Sequence, residues 1–179
     1  MPIVTADLGY RLSVPSASAG DTDAQPDPNA SLGKFMSTSA FTAGANGLFD
    51  DVTGAENAAL DVEYRCWFIT NTHATLTLTA AKTWLSAEVA GGTDVAIGLD
   101  PAGVVAGNLG TAQAATVADE STAPTGVTFS APTTEGAALT IGDIAPGGCQ
   151  AVWARRTANN TAAVNADGAT FRVRGDTAA

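Results

Sequence analysis

Two stretches of this chain limit what it can fold into: residues 63–85, EYRCWFITNTHATLTLTAAKTWL, and residues 139–157, LTIGDIAPGGCQAVWARRT. Each reads as two strands around a short polar break. Apolar and β-branched residues recur there with a period of two, and the breaks carry residues that favour turns. Between them the two stretches hold all three Trp, both Cys and the only His, so they are expected to form the centre of the fold. In the first, Val62, Tyr64, Cys66 and Phe68 line one face while Glu63 and Arg65 point the other way. Leu76 and Leu78 then alternate with Thr75, Thr77 and Thr79, Leu inward and Thr outward.

The same period recurs elsewhere. Residues 8–14 place Leu8, Tyr10, Leu12 and Val14 on one face, and further strands are expected at 93–99, 126–129, 138–141, 149–156 and 169–174. Residues 102–125, rich in Ala, Gly and Thr, carry no period that assigns them to helix or strand. About seven strands with turn signals between them, and no periodic helix of useful length, predict an all-β chain. The expected architecture is an immunoglobulin-like antiparallel β-sandwich of about seven strands with an extended N-terminal arm. The division is drawn at residue 60: an arm over 1–60, with one strand and a Pro/Asp-rich loop at 15–29, and a sandwich over 61–179. In the arm Phe35, Met36, Phe41, Leu48, Phe49 and Val52 return as scattered apolar anchors, a pattern suited to a segment that crosses a surface.

Of 179 residues 37 are Ala, so the core is thin for the length, and part of the burial is expected from association with other chains. The formal net charge of −10 argues against nucleic acid as a direct partner, because phosphate neutralisation needs clustered Lys and Arg. No apolar run approaches the ~18 residues of a membrane span, and Met1 is not followed by a signal-peptide pattern. A soluble product made in the cytoplasm, with no membrane partner, is expected.

Chemistry is sparse. His73 lies in a turn without the orienting acid and nucleophile that catalysis needs, and reads as an exposed turn residue. Asp21, Asp23, Gln25, Asp27 and Asn29 alternate like calcium ligands. Pro26 and Leu32 nevertheless stand where an EF-hand loop needs Gly and Glu, so a solvated acidic loop is expected. Cys66 and Cys149 form no metal knuckle. They read as buried thiols, or as a pair facing each other across the sandwich with Trp84 packed between. No catalytic residue, cofactor or metal is expected, and the chain reads as non-enzymatic. The partner-binding candidates are Tyr10, Phe35 and Phe41 in the arm, with Arg155, Arg156, Arg172 and Arg174. The last two strands carry four of the eight Lys and Arg. If they are neighbours, the four Arg share a docking surface; the alternative is salt bridges to Glu63, Asp167 or Asp176.

Six runs also carry a resemblance. They are residues 61–66 (DVEYRC), 71–76 (NTHATL), 95–100 (VAIGLD), 144–147 (IAPG) with 151–157 (AVWARRT), and 171–178 (FRVRGDTA). In this order, over residues 48–179, the chain resembles small virion structural proteins of tailed bacteriophages, and within them capsid decoration (cement) proteins. The resemblance implies a capsid-surface location, the major capsid protein as partner, self-association, a trimer foremost, and assembly in the cytoplasm of a bacterial host. It carries no active-site motif. Two other roles stay open: a tail, collar or fibre-associated virion component, and a glycan-binding sandwich for host attachment.

Overall fold

Turns and glycines cut the apolar runs into eight strands in a computed structural model that describes residues 2–15 and 23–177. In chain order they are β1 (Leu8–Val14), β2 (Phe35–Ala40), β3 (Val62–Asn71), β4 (Leu78–Glu88), β5 (Asp94–Ala106), β6 (Leu139–Ile144), β7 (Gly148–Thr157) and β8 (Ala169–Thr177). One short helix, α1 (Gly54–Ala59), leads into β3. Thr53 and Glu56 cap it reciprocally, the Glu56 N–H on Thr53 Oγ1 at 3.3 Å and the Thr53 N–H on Glu56 Oε2 at 2.6 Å. All strand pairs are antiparallel, in a five-stranded sheet ordered β2-β1-β3-β7-β5 and a three-stranded sheet ordered β6-β4-β8. The molecule is an all-β sandwich.

β3 and β7 occupy the middle of the large sheet and are buried on both faces, which is why their sequences read as near-continuous apolar runs. One face carries Leu12, Trp67, Ile69, Ile97 and Val152 against Leu78, Ala81, Leu85 and Ile144 of the small sheet. Full burial of side chains of this size contributes about 1.5–3 kcal/mol each. The opposite face carries Cys66, Phe68, Cys149, Ala151 and Trp153. They lie beneath Leu32, Ala114, Val117, Val127 and Phe129, with Met36 of β2 beside them. Two loops, 23–34 and 107–130, therefore serve as a third layer.

Buried polar side chains tie these loops down. The Asp100 carboxylate accepts the Ala115 N–H at 2.8 Å, the Trp153 Nε1–H at 2.9 Å and the Ala102 N–H at 2.9 Å. Gln113 accepts the Met36 N–H at 2.9 Å and donates to the Ala106 and Gly107 carbonyls at 2.7 and 2.6 Å. Residues 102–125, which the sequence left unassigned, are thus the end of β5 and the loop behind it. Gly33 marks the closest approach of the two loops: its φ is 91°, and a Cβ there would fall on the Ala115 carbonyl oxygen.

Three expectations change. Residues 1–60 are not an arm with one strand; they supply β1 and β2 to the large sheet, with Leu12, Val14, Phe35 and Met36 buried. Residues 126–129 form no strand, although Ser130 exchanges hydrogen bonds with Ile97 at 2.8 and 3.0 Å. The cysteines do not face each other across the sandwich. Both are buried in the large sheet and no disulfide joins them, Cys66 lying opposite Trp153 and Cys149 opposite Thr70. Four residues of strand separate them, about 13 Å, beyond the ~7 Å that a disulfide spans. Burial pushes the Cys66 thiol well above its ordinary 9.0, with the Asp100 carboxylate adding to it.

Candidate functional site

Among the described residues the small sheet is packed on one face only, the face turned to the large sheet. Along β8 Phe171, Val173 and Gly175 turn inward while Thr170, Arg172, Arg174 and Asp176 are exposed. The register places Arg174 opposite Lys82 and Arg172 opposite Trp84 on β4, and Lys82 is flanked on β6 by Thr140. Opposed residues share a face and stand ~5 Å apart. Three cations and a tryptophan thus lie together on the outside of a protein whose net charge is −10. Glu135, from the turn before β6, partly neutralises them. It takes two hydrogen bonds from Arg174, both at 2.8 Å, and one ion pair from Lys82 at 3.3 Å. The Arg174 hydrogen bonds hold the Glu135 carboxyl below its ordinary 4.5, and in return Glu135 raises Arg174. Arg172 reaches only the Ser86 hydroxyl, at 3.3 Å, and has no carboxylate partner among the described residues.

The predicted Arg surface divides because β8 pairs with β4, not with β7. Arg155 and Arg156 lie on opposite faces of β7. Arg155 is half-buried, its guanidinium 5.4 Å from the Phe129 ring centre. Arg156 is 8% exposed and ion-paired with Glu63, its Nε 2.6 Å from Glu63 Oε2. It also reaches Asp50, 3.3 Å from Oδ1, and lies 4.8 Å from the Phe49 ring centre. Arg65, fully buried beside it, pairs with Glu120 and lies 5.5 Å from the same ring. Burial pushes the Glu63 carboxyl above its ordinary 4.5 against the pull of Arg156.

The arm candidates are likewise internal. Phe35 is 3% exposed and cannot meet a partner. Tyr10 and Phe41 close one open side of the sandwich. Phe41 lies 5.2 Å from Trp67 and 5.8 Å from Phe171, and Tyr10 lies 6.1 Å from Trp67. Burial raises the Tyr10 hydroxyl above its ordinary 10.0, with Arg172 pulling the other way. Of the seven candidates, only Arg172 and Arg174 share an exposed face.

Lys82 and Trp84 belong to that face and were missed. The strand positions of the three Trp mostly read as core, which holds for Trp67 and Trp153 at 0% exposure but not for Trp84. The signal was the alternation itself: Ala81, Thr83 and Leu85 are buried, so Lys82 and Trp84 must face outward.

His73 is half-buried, not an exposed turn residue; its Nδ1 accepts the Thr75 and Leu76 N–H groups at 3.1 and 3.0 Å. In the acidic loop, Asp21 lies outside the described residues. Gln25 is buried rather than solvated, its side chain donating to the Ser13 and Ala30 carbonyls at 3.2 and 3.1 Å. Among the described residues no group of three or more His, Cys, Asp and Glu is placed to hold a metal ion. No described helix is long and apolar enough to cross a membrane.

Fold and site together define an all-β sandwich with one sheet sealed on both faces and the other presenting a cationic, tryptophan-bearing face to solvent. No protein-family model, curated protein or solved structure matches this chain.

Proposed function

We propose that this protein is a non-enzymatic structural component of a tailed-bacteriophage virion, a capsid decoration protein that docks on the lattice of the major capsid protein. The observation that carries the reading is the outer face of the small sheet. Lys82, Trp84, Arg172 and Arg174 sit together on the outer face of the small sheet, which among the described residues only the turn bearing Glu135 approaches, in a chain that is otherwise strongly acidic. Trp and Arg are the residue types enriched at protein interfaces, and a positive face on an acidic body directs the encounter with an acidic partner. The likeness of the strand sequences to small phage virion proteins adds the setting. Self-association, as a trimer in the favoured form, belongs to the same reading.

Purified particles test it. A copy number comparable with that of the capsid lattice supports decoration. A few copies that follow tail symmetry would replace it with a tail or collar role, and absence from particles would end both. Trp84 gives the glycan-binding alternative one observation of its own, an aromatic on an open sheet face. Glycan-array binding that Trp84→Ala removes would favour that reading.

A further inference from the structure

The edges of the two sheets are treated differently. Residues 23–25 cover the edge at β2, where the Asp23 carbonyl accepts the Thr38 N–H at 2.8 Å and Ser39 Oγ accepts the Gln25 N–H at 2.8 Å. Ser130 covers β5 through its paired bonds with Ile97. Where β1 stops short on β3, the Ser31 and Glu120 carbonyls accept the Cys66 and Tyr64 N–H groups, both at 2.7 Å. β6 is a six-residue strand bent at Gly142, with φ 98°, and lies against β5. β8 has no such cover. It pairs with β4 alone, and over residues 170–174 its other edge has no backbone partner among the described residues. Residues 3–5 shade only its far end, where the Ile3 N–H meets Thr177 Oγ1 at 3.0 Å beside a cleft of about 200 Å³.

The ladder shows which groups stand at that edge. The Leu85 N–H donates to the Pro132 carbonyl at 2.8 Å, on the side of β4 away from β8. In an antiparallel pair, partners turn their backbone groups toward or away from each other together. Phe171, opposite Leu85, therefore turns its N–H and C=O outward, as does Val173 two residues on. These are the residues whose side chains turn inward, half-buried, with Phe41 against Phe171. Arg172 and Arg174 between them bond to β4 and project their side chains from the outer face. Natural edges are blunted by Pro, bulges or inward charges; the sequence of residues 170–174, TFRVR, has no Pro and no inward charge.

We propose that the open edge of β8 receives an extended segment of a partner protein as an added antiparallel strand. The segment alternates carboxylate side chains, which face Arg172 on the outer side, with apolar side chains, which continue the inner row of Phe171 and Val173 beside Phe41. Main-chain bonds to Phe171 and Val173 supply affinity, and the alternating side chains supply selection. A second copy of this chain does not fit the same edge. Every two-fold antiparallel register that pairs at least seven of the nine residues of β8 with the mate sets Arg172 or Arg174 opposite an arginine, and like charges directly opposed destabilise the pair. The inference rests on the small sheet as the docking side and adds the mode of docking.

The test uses the full-length protein and two capped heptapeptides, Thr-Val-Glu-Val-Glu-Val-Thr and its lysine counterpart, at about 1 mM. Amide hydrogen exchange is followed residue by residue. The glutamate peptide should slow exchange at Phe171 and Val173 about tenfold while leaving Arg172 and Arg174 unchanged, since those already bond to β4. The lysine peptide should do nothing. Val173→Pro removes an edge donor without taking a bond from β4 and should abolish protection; Arg172→Glu should transfer the preference to the lysine peptide. Absence of protection by the glutamate peptide, or equal protection by both, overturns the proposal. So does protection of the two amides that appears with protein concentration alone, which would make a second copy the occupant. Particle copy number is measured separately, so failure of the peptide with normal particle occupancy sinks the edge alone.

Discussion

Breaking the Arg156–Glu63 pair is the sharpest test of the assignment of Arg156 to the interior. Both side chains are less than a tenth exposed, 9% and 7%. Arg156→Met keeps most of the volume and the contact with Phe49 but leaves the Glu63 carboxylate buried without its cation. Removing one member of a buried ion pair costs about 3–5 kcal/mol. The bond to Asp50, whose side chain is 49% exposed, adds at most about 1 kcal/mol. For a chain of this length each kcal/mol moves Tm by about 2–4 °C, so a fall of about 6–24 °C is expected at pH 7. The pH dependence has a definite sign. Glu63 titrates above its ordinary 4.5 in the folded protein, so the native state holds more protons than the unfolded one between 4.5 and the raised value. Stability therefore falls as pH rises through that window. Loss of Arg156 removes the larger part of the downward pull, leaving that of Arg65, so the window extends upward and the deficit at neutral pH grows. Calorimetry at pH 7 and pH 5 should show the deficit of Arg156→Met shrinking at the lower pH, while Glu63→Met/Arg156→Met returns to within about 2 kcal/mol of the parent. A loss below about 1 kcal/mol at pH 7, or a deficit that does not shrink toward pH 5, would refute the buried-pair account.

Three further outcomes are expected. Gly33→Ala places a Cβ on the Ala115 carbonyl at a φ of 91°; it should cost about 1–3 kcal/mol or more in urea denaturation, and an unchanged midpoint would show that the two loops do not meet there. Deleting residues 1–47 removes β1 and β2, including buried Leu12 and Met36. The truncated chain should lose its cooperative thermal transition, and a sharp transition near the parent Tm would restore the arm reading. Arg172→Ala with Arg174→Ala removes exposed side chains only, so stability should change by less than about 0.5 kcal/mol. The same variant should bind capsids less well, and undiminished binding would exclude this face from docking.

The legible parts of the fold were those where a face pattern is one-sided. β8 alternates in sequence and alternates in burial, and β4 alternates in burial from Ala81 to Leu85, beyond the irregularity at Thr79–Ala81. What stayed hidden depends on strand order, which a period of two does not encode. Arg155 and Arg172 look equivalent along the chain. They part because β7 lies in the middle of the large sheet while β8 lies at the edge of the small one. The loops were hidden for another reason. Ala114 and Val117 cover the large sheet without a strand of their own, held by Gln113 and Asp100, and loop residues fixed by buried hydrogen bonds carry no periodic signal.

The thin core now has a structural reading. An Ala-rich chain can fill little space per residue between two sheets, yet this one seals both faces of its central strands. It does so by laying Ala114, Ala115, Val117 and Val127 on the far face of β3 and β7, where small side chains let loop backbone lie close to the sheet. That close approach explains why Gly33 and Gly98 have no room for a side chain: the Ala115 carbonyl blocks one and Val127 with the Thr128 carbonyl blocks the other. The loops thus use up the outer side of the large sheet, and among the described residues the small sheet keeps an open outer face and an open edge at β8. Association, expected from composition as a remedy for weak burial, is better placed at β4 and β8. There Arg172 is exposed, Trp84 is half-buried on the outer face, and the edge backbone of Phe171 and Val173 has no partner among the described residues, so a partner would add to a core that is closed without it.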